Sequence, residues 1–111
     1  MKTATGLEYT ETTRGTGEQA VAGKTVAVHY TGTFPDGRVF DDSRQRGEPI
    51  RFVLGQGKVI KGWDEGIALM KVGGRAQLIV LPALAYGARG AGNVIPPDAF
   101  LHFDVELVAV N

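Results

Sequence analysis

The residues whose types could do chemistry are few. They are two histidines, His29 and His102, a carboxylate pair, Asp41-Asp42, and an aromatic set, Tyr30, Phe40, Phe52, Trp63, Tyr86 and Phe103. The histidines fall on the predicted outward faces of two strands, and neither has a neighbouring serine in the sequence that would complete a triad. Adjacent residues of a strand point to opposite faces, so the Asp41 and Asp42 carboxylates diverge and do not form a shared acid–base dyad. No His or carboxylate spacing resembles a metal site. Gly55-Gln56-Gly57 lacks the third glycine of a dinucleotide fingerprint, and the glycines from Gly87 to Gly92 lead to Ile95-Pro96-Pro97 rather than to a helix. No cofactor or metal is expected. What remains is chemistry by environment: an apolar aromatic cage with a carboxylate, Asp41, beside Phe40, and a phenol, Tyr86, on a long loop. Such a set fits a binding pocket with a few polar handles, against the simpler alternative that the aromatics are plain core.

The elements that would hold this cage follow from periodicity. Ile60, Trp63, Ile67 and Met70 recur at i, i+3, i+7 and i+10, which predicts one helix over Val59 to Met70 with the only Trp of the chain in its stripe. Gly62 and Gly66 inside it each cost about 1 kcal/mol relative to Ala, so a close approach should require them, and space beside the Trp63 ring is one candidate. Alternation predicts strands over Leu7–Thr12, Thr25–Thr31 with Val26, Val28 and Tyr30 inward, Arg75–Leu81 with Ala76, Leu78 and Val80 on one face, and Phe100–Val110 with Leu101, Phe103, Val105, Leu107 and Ala109 inward. Val39–Asp41 and Ile50–Leu54 read as one strand broken by a charged, Gly- and Pro-containing stretch, a large bulge of the kind that re-aims side chains. The loop from Ala83 to Ala99 is long for a compact fold and too apolar for a disordered one.

The class is therefore α+β: a curled antiparallel β-sheet of about five strands wrapped around one short α-helix, as a single domain over residues 1–111, with residues 1–6 a loose N-terminal segment. Twelve basic and twelve acidic residues cancel, which leaves no electrostatic footprint for nucleic acid or a membrane. There are no cysteines, and no apolar stretch approaches a membrane span. A cytoplasmic monomer is the expectation.

Val28-His29-Tyr30-Thr31-Gly32, Gly37-Arg38-Val39-Phe40-Asp41, Val59-Ile60-Lys61-Gly62-Trp63-Asp64-Glu65-Gly66, Tyr86-Gly87, Ile95-Pro96-Pro97 and Phe103-Asp104-Val105-Glu106-Leu107 occur in this order. Together they resemble the FKBP-type peptidyl-prolyl cis-trans isomerases, most closely the bacterial single-domain members, over nearly the whole chain from Leu7. The resemblance implies rotation about Xaa-Pro peptide bonds in a non-covalent mechanism, a folding-helper role, and binding of tacrolimus- or rapamycin-type macrolides. It implies that Asp41, Tyr86, Phe40 and Phe103 are the catalytic residues. It also implies that Trp63 floors a pocket lined by Tyr30, Phe40, Ile50, Phe52, Val59, Ile60, Tyr86, Val94, Ile95 and Phe103, with the Ile60 N–H and the Tyr86 hydroxyl bonding ligand carbonyls and Arg46 pairing with Asp41. Ile50 and Leu84 stand where many relatives have aromatics, so a less aromatic rim is expected. A binding module that keeps the pocket without using it for catalysis is the competing expectation.

Overall fold

The computed structural model describes residues 1–92 and 94–111. Strands β1 (Glu8–Thr13), β2 (Thr25–Thr33), β3 (Val39–Asp42), β4 (Ile50–Val53), β5 (Arg75–Val80) and β6 (Leu101–Val110) form one antiparallel sheet, crossed, among the described residues, by a single α-helix, α1 (Lys61–Ile67). The order is β1-β5-β6-β2-β3, with β4 also on β2. Six strands replace the expected five because the interruption is complete. Thr31 and Gly32 of β2 face Asp42 and Asp41, while Thr25 to Val28 face Val53 to Ile50. Both halves lie antiparallel on β2, and the residues between them swing out.

The inward alternation holds with one change. Val26, Val28, Leu78, Val80, Leu101, Val105 and Leu107 are fully buried. Ala109 is not on the core face, because a register shift between Ala27 and Val28 sets Val28 opposite Leu107 and Ala27 opposite Ala109. The extra residue turns Val110 toward the core instead. The chain start is also tied down rather than loose. The Met1 ammonium donates to the Tyr9 carbonyl at 2.8 Å, Thr3 N–H donates to the Leu7 carbonyl at 2.8 Å, and both Glu65 oxygens accept from the Thr5 hydroxyl. These bonds remove the backbone freedom that a terminal segment otherwise keeps.

The helix is shorter than its hydrophobic stripe. Ile60 is extended (ψ 151°), so it flanks the helix rather than joining it. At the other end Leu69 N–H and Met70 N–H reach back to the Gly66 and Ile67 carbonyls, a tightened last turn. Gln19 Nε2 donates to the Ala68 and Met70 carbonyls, both at 2.9 Å, satisfying groups a helix end leaves open. Met70 stays buried from this turn, so the stripe survives although the helix stops. The two helix glycines serve the sheet rather than Trp63. A Cβ on Gly62 would lie 2.7 Å from Val80 Cγ1, and one on Gly66 would lie 3.0 Å from both Leu78 methyls. They bring α1 onto β5. The loop after β5 carries two short 3-10 turns, Pro82–Leu84 and Gly87–Arg89.

Candidate active site

At the N-terminal end of α1 a cavity of about 310 Å³ opens between the helix and the concave face of the sheet. Each wall comes from a different element. Strand β2 supplies Tyr30, β3 supplies Phe40 and Asp41, β4 supplies Ile50, and β6 supplies Phe103. The segment entering the helix gives Lys58, Val59 and Ile60, the helix gives Trp63, and the loop after β5 gives Tyr86. The entering segment is clamped by the helix itself: Asp64 Oδ1 accepts from Gly55 N–H at 2.8 Å and Oδ2 from Gly57 N–H at 3.1 Å. Among the described residues the Ile60 N–H, next along that segment, has no hydrogen-bond acceptor.

The floor is a cluster of rings. Trp63, only 4 % exposed, meets Tyr30 edge-on at 4.7 Å and Phe103 edge-on at 5.3 Å between centroids. Phe40 meets Phe103 at 5.7 Å, also edge-on, the arrangement aromatic quadrupoles favour. Gly32 makes this possible, since a Cβ there would sit 2.6 Å from Phe40 Cζ and 3.0 Å from Phe103 Cε1. The Trp63 Nε1–H is buried without an acceptor among the described residues, so the floor offers the cavity ring surface and no satisfied polar network.

The polar handle is a three-part group on one wall. The Tyr30 hydroxyl and the Arg46 guanidinium both donate to Asp41, and Arg46 Nη2 donates to the Tyr30 oxygen at 3.0 Å. Partial burial pushes the Asp41 carboxyl up, but the hydrogen bonds from Tyr30 and Arg46 and the charge of Arg46 outweigh it, and the net shift is downward. Burial, reinforced by the bond to Asp41, raises the Tyr30 phenol above its ordinary value. Burial, with the Asp41 charge second, raises Tyr86 as well. At neutral pH the site therefore holds an ionised carboxylate and two protonated phenols.

Of the residues expected at the pocket, Tyr30, Phe40, Asp41, Ile50, Val59, Ile60, Trp63, Tyr86 and Phe103 do line it. Phe52 does not. It is buried behind the floor, 6.0 Å from Trp63. Arg46 stands outside the lining and acts on Asp41 from the solvent side, with its side chain half exposed. Val94 and Ile95 border a separate groove with Phe34, Arg38 and Arg89, where Ile95 is nearly buried. Leu84 is no part of the rim, since it is buried in the core, so Ile50 alone makes the rim less aromatic. Lys58 also lines the cavity, and the sequence carries no signal for it, because an exposed lysine in a glycine-flanked turn has no periodic pattern. Both histidines lie outside the cavity. His29, however, has a serine beside it in space: its Nδ1 lies 2.9 Å from Ser43 Oγ. Ser43 is fully buried and already accepts from the Tyr30 N–H at 2.8 Å, so it is no nucleophile.

The family described as FKBP-type peptidyl-prolyl cis-trans isomerase matches residues 16–108. FK506-binding protein 1 of Dictyostelium discoideum is 54 % identical over 93 % of this chain and 96 % of its own length. A probable FKBP-type peptidyl-prolyl cis-trans isomerase of Haemophilus influenzae is 50 % identical over 98 % of the chain, which spans 44 % of that longer protein. Among solved structures, AtFKBP13 superposes with a TM-score of 0.92 at 40 % identity, covering 99 % of this chain and 97 % of that one. FkpA from Escherichia coli gives 0.93 at 45 % identity, with all of this chain on 51 % of that one. An aromatic cavity against one helix and a family match across most of the sequence lead to the same place: the chain belongs to the FKBP-type peptidyl-prolyl cis-trans isomerases.

Proposed function

We propose that this cavity binds an Xaa-Pro segment with the proline ring against Phe40, Trp63 and Phe103, and lowers the barrier to rotation about the preceding peptide bond. The observation that carries the reading is an aromatic cavity with one ionised handle, Asp41, on its wall. The reaction breaks no covalent bond. The planar amide owes its barrier of about 18–20 kcal/mol to resonance, and the twisted transition state gives up that resonance and its charge separation. An apolar, water-poor wall disfavours the polar planar state relative to the twisted one, and only such differential binding accelerates. An acceleration of about a thousand- to a million-fold needs roughly 4–8 kcal/mol.

The Ile60 N–H and the Tyr86 hydroxyl are placed to hold carbonyls of the bound chain. Asp41 acts on the amide from the opposite wall, held by Tyr30 and Arg46. The same donors and rings suit a tacrolimus- or rapamycin-type macrolide, in keeping with relatives named for FK506 binding, and the aliphatic Ile50 at the rim should weaken that binding. In the cell such an activity would act on exposed prolyl segments of folding chains, as a monomer in the cytoplasm.

The test is exchange NMR or a protease-coupled assay on a prolyl peptide, with and without rapamycin. Turnover blocked by the macrolide supports the proposal. Macrolide binding without turnover would make this a binding module.

A further inference from the structure

We propose that Ser43 is a positioning residue for this site: its side chain stands in for the strand partner that the bulge removes, and so fixes the Tyr30 backbone from which the Asp41 handle is held. The sheet register isolates the problem. Strand β3 pairs with β2 through Thr31, and β4 resumes at Val28, so His29 and Tyr30 face neither strand. The Tyr30 backbone is nonetheless buried and must find a donor and an acceptor. Ser43 supplies both. Its N–H donates to the Tyr30 carbonyl at 3.0 Å, and its Oγ accepts from the Tyr30 N–H at 2.8 Å. Among the described residues Ser43 is the one buried polar side chain, with 0 % exposure.

The third contact orients the hydroxyl. A serine oxygen has one proton and two lone pairs. One lone pair takes the Tyr30 N–H. The proton goes to His29 Nδ1 at 2.9 Å when that nitrogen is bare, or to the Tyr30 carbonyl at 3.3 Å when His29 is the donor. Either arrangement keeps the clip on Tyr30 closed. The clip also reaches the other partner of Asp41, because Arg46 N–H donates to the Ser43 carbonyl at 3.1 Å. Ser43 thus anchors both groups that donate to Asp41, while touching neither the cavity nor a substrate.

The proposal rests on the isomerase reading for its kinetic arm alone, and a spectroscopic arm keeps the two apart. The ¹³C-labelled protein is compared with Ser43→Ala and with Ser43→Cys, which fills nearly the same space but replaces the oxygen acceptor by a weak one. The expected result in the folded variants is faster exchange of the Tyr30 amide and an Asp41 carboxyl titration moved up toward the ordinary carboxylate value. In the kinetic arm kcat should fall about tenfold with KM little changed, as for the loss of one charge-assisted hydrogen bond. Ser43→Cys decides the matter if Ser43→Ala does not fold. An Asp41 titration unmoved in a folded variant overturns the proposal, even if kcat falls, because Ser43 would then be structural only. A moved titration in a protein whose wild type does not isomerise prolyl peptides supports the positioning role and rejects the isomerase reading instead.

Discussion

Phe40 and Asp41 are neighbours on one short strand, yet both face the cavity: Gly32 pairs with Asp41 and Thr33 with Val39, so Phe40 between them is the extra residue of a register shift and the strict alternation of a strand is relaxed. Both are only half-buried, so truncating either leaves the core intact. Phe40→Ala should cost much of the apolar contact with the proline ring, roughly 1.5–3 kcal/mol for a large side chain, hence a fall of about ten- to a hundredfold in kcat/KM. Asp41→Ala should fall in the same direction in a protein that still folds. A folded Phe40→Ala protein with full kcat/KM on an Xaa-Leu-Pro-Phe peptide would sink the pocket assignment. Gly32 makes a sharper case, because it touches no substrate. Its Cα lies under the Phe40 and Phe103 rings, and a methyl added there would stand 2.6 Å and 3.0 Å from their edges. Gly32→Ala should therefore push the rings into the cavity and lower kcat/KM by about tenfold, through a shift of the kind overpacking costs. Ring-proton chemical shifts of Phe40 and Phe103 should move with the loss, and activity retained with unmoved shifts would show that the rings have room.

The helix shows which features of an element a linear sequence carries. Trp63, Ile67 and Met70 announced their shared stripe through spacing alone, and the same alternation exposed Tyr30 and Phe103 on β2 and β6. Depth was a different matter. Phe52 and Ile50 share a strand face, but one is buried behind Trp63 and the other lines the cavity, because curvature of the sheet and not parity decides which is reached first. Leu84 read as rim yet is core, since the 3-10 turn Pro82–Leu84 folds it inward. Ser43 was invisible for a related reason: its partners His29 and Tyr30 are brought near only by a β2 register that the sequence does not print. Gly62 and Gly66 were recognisable as anomalies, but their cause lies across the sheet on β5 rather than beside Trp63. That cause ranks them. Alanine gains about 1 kcal/mol of helix propensity at either position. At Gly62 it meets the stiff β-branched Val80 at 2.7 Å, and at Gly66 the tips of a flexible Leu78 at 3.0 Å. Gly62→Ala should lower the melting temperature outright, with overpacking worth about 1–3 kcal/mol, and Gly66→Ala should lower it less. Calorimetry reads both, and a rise for Gly62→Ala would remove close packing on β5 as the reason for glycine.

For the molecule as a whole, the protonation states of the site make a pH test of the non-covalent reading. Asp41 is held below the ordinary carboxylate range on balance, since the bond from Tyr30 and the hydrogen bonds and charge of Arg46 outweigh its burial. Glu106 is lowered too, first by its bond from Arg44. A folded-state value below the unfolded one contributes stability that is fully present above the unfolded pKa, about 4 for these groups. That stability is lost as pH falls through the folded values. The melting temperature should thus hold steady from about pH 5 to 8 and drop below about pH 4. Activity should follow the same plateau for a separate reason. Tyr30 and Tyr86 are both raised, by burial first, so they stay protonated beyond about pH 10. Through neutrality the handle changes charge nowhere. The expected kcat/KM profile by exchange NMR is therefore flat from about pH 5 to 9, where general acid–base catalysis would give a bell. A bell centred near neutral pH would mean that a proton moves in the rate-limiting step, and a site that works by desolvating a twisted amide would not account for it.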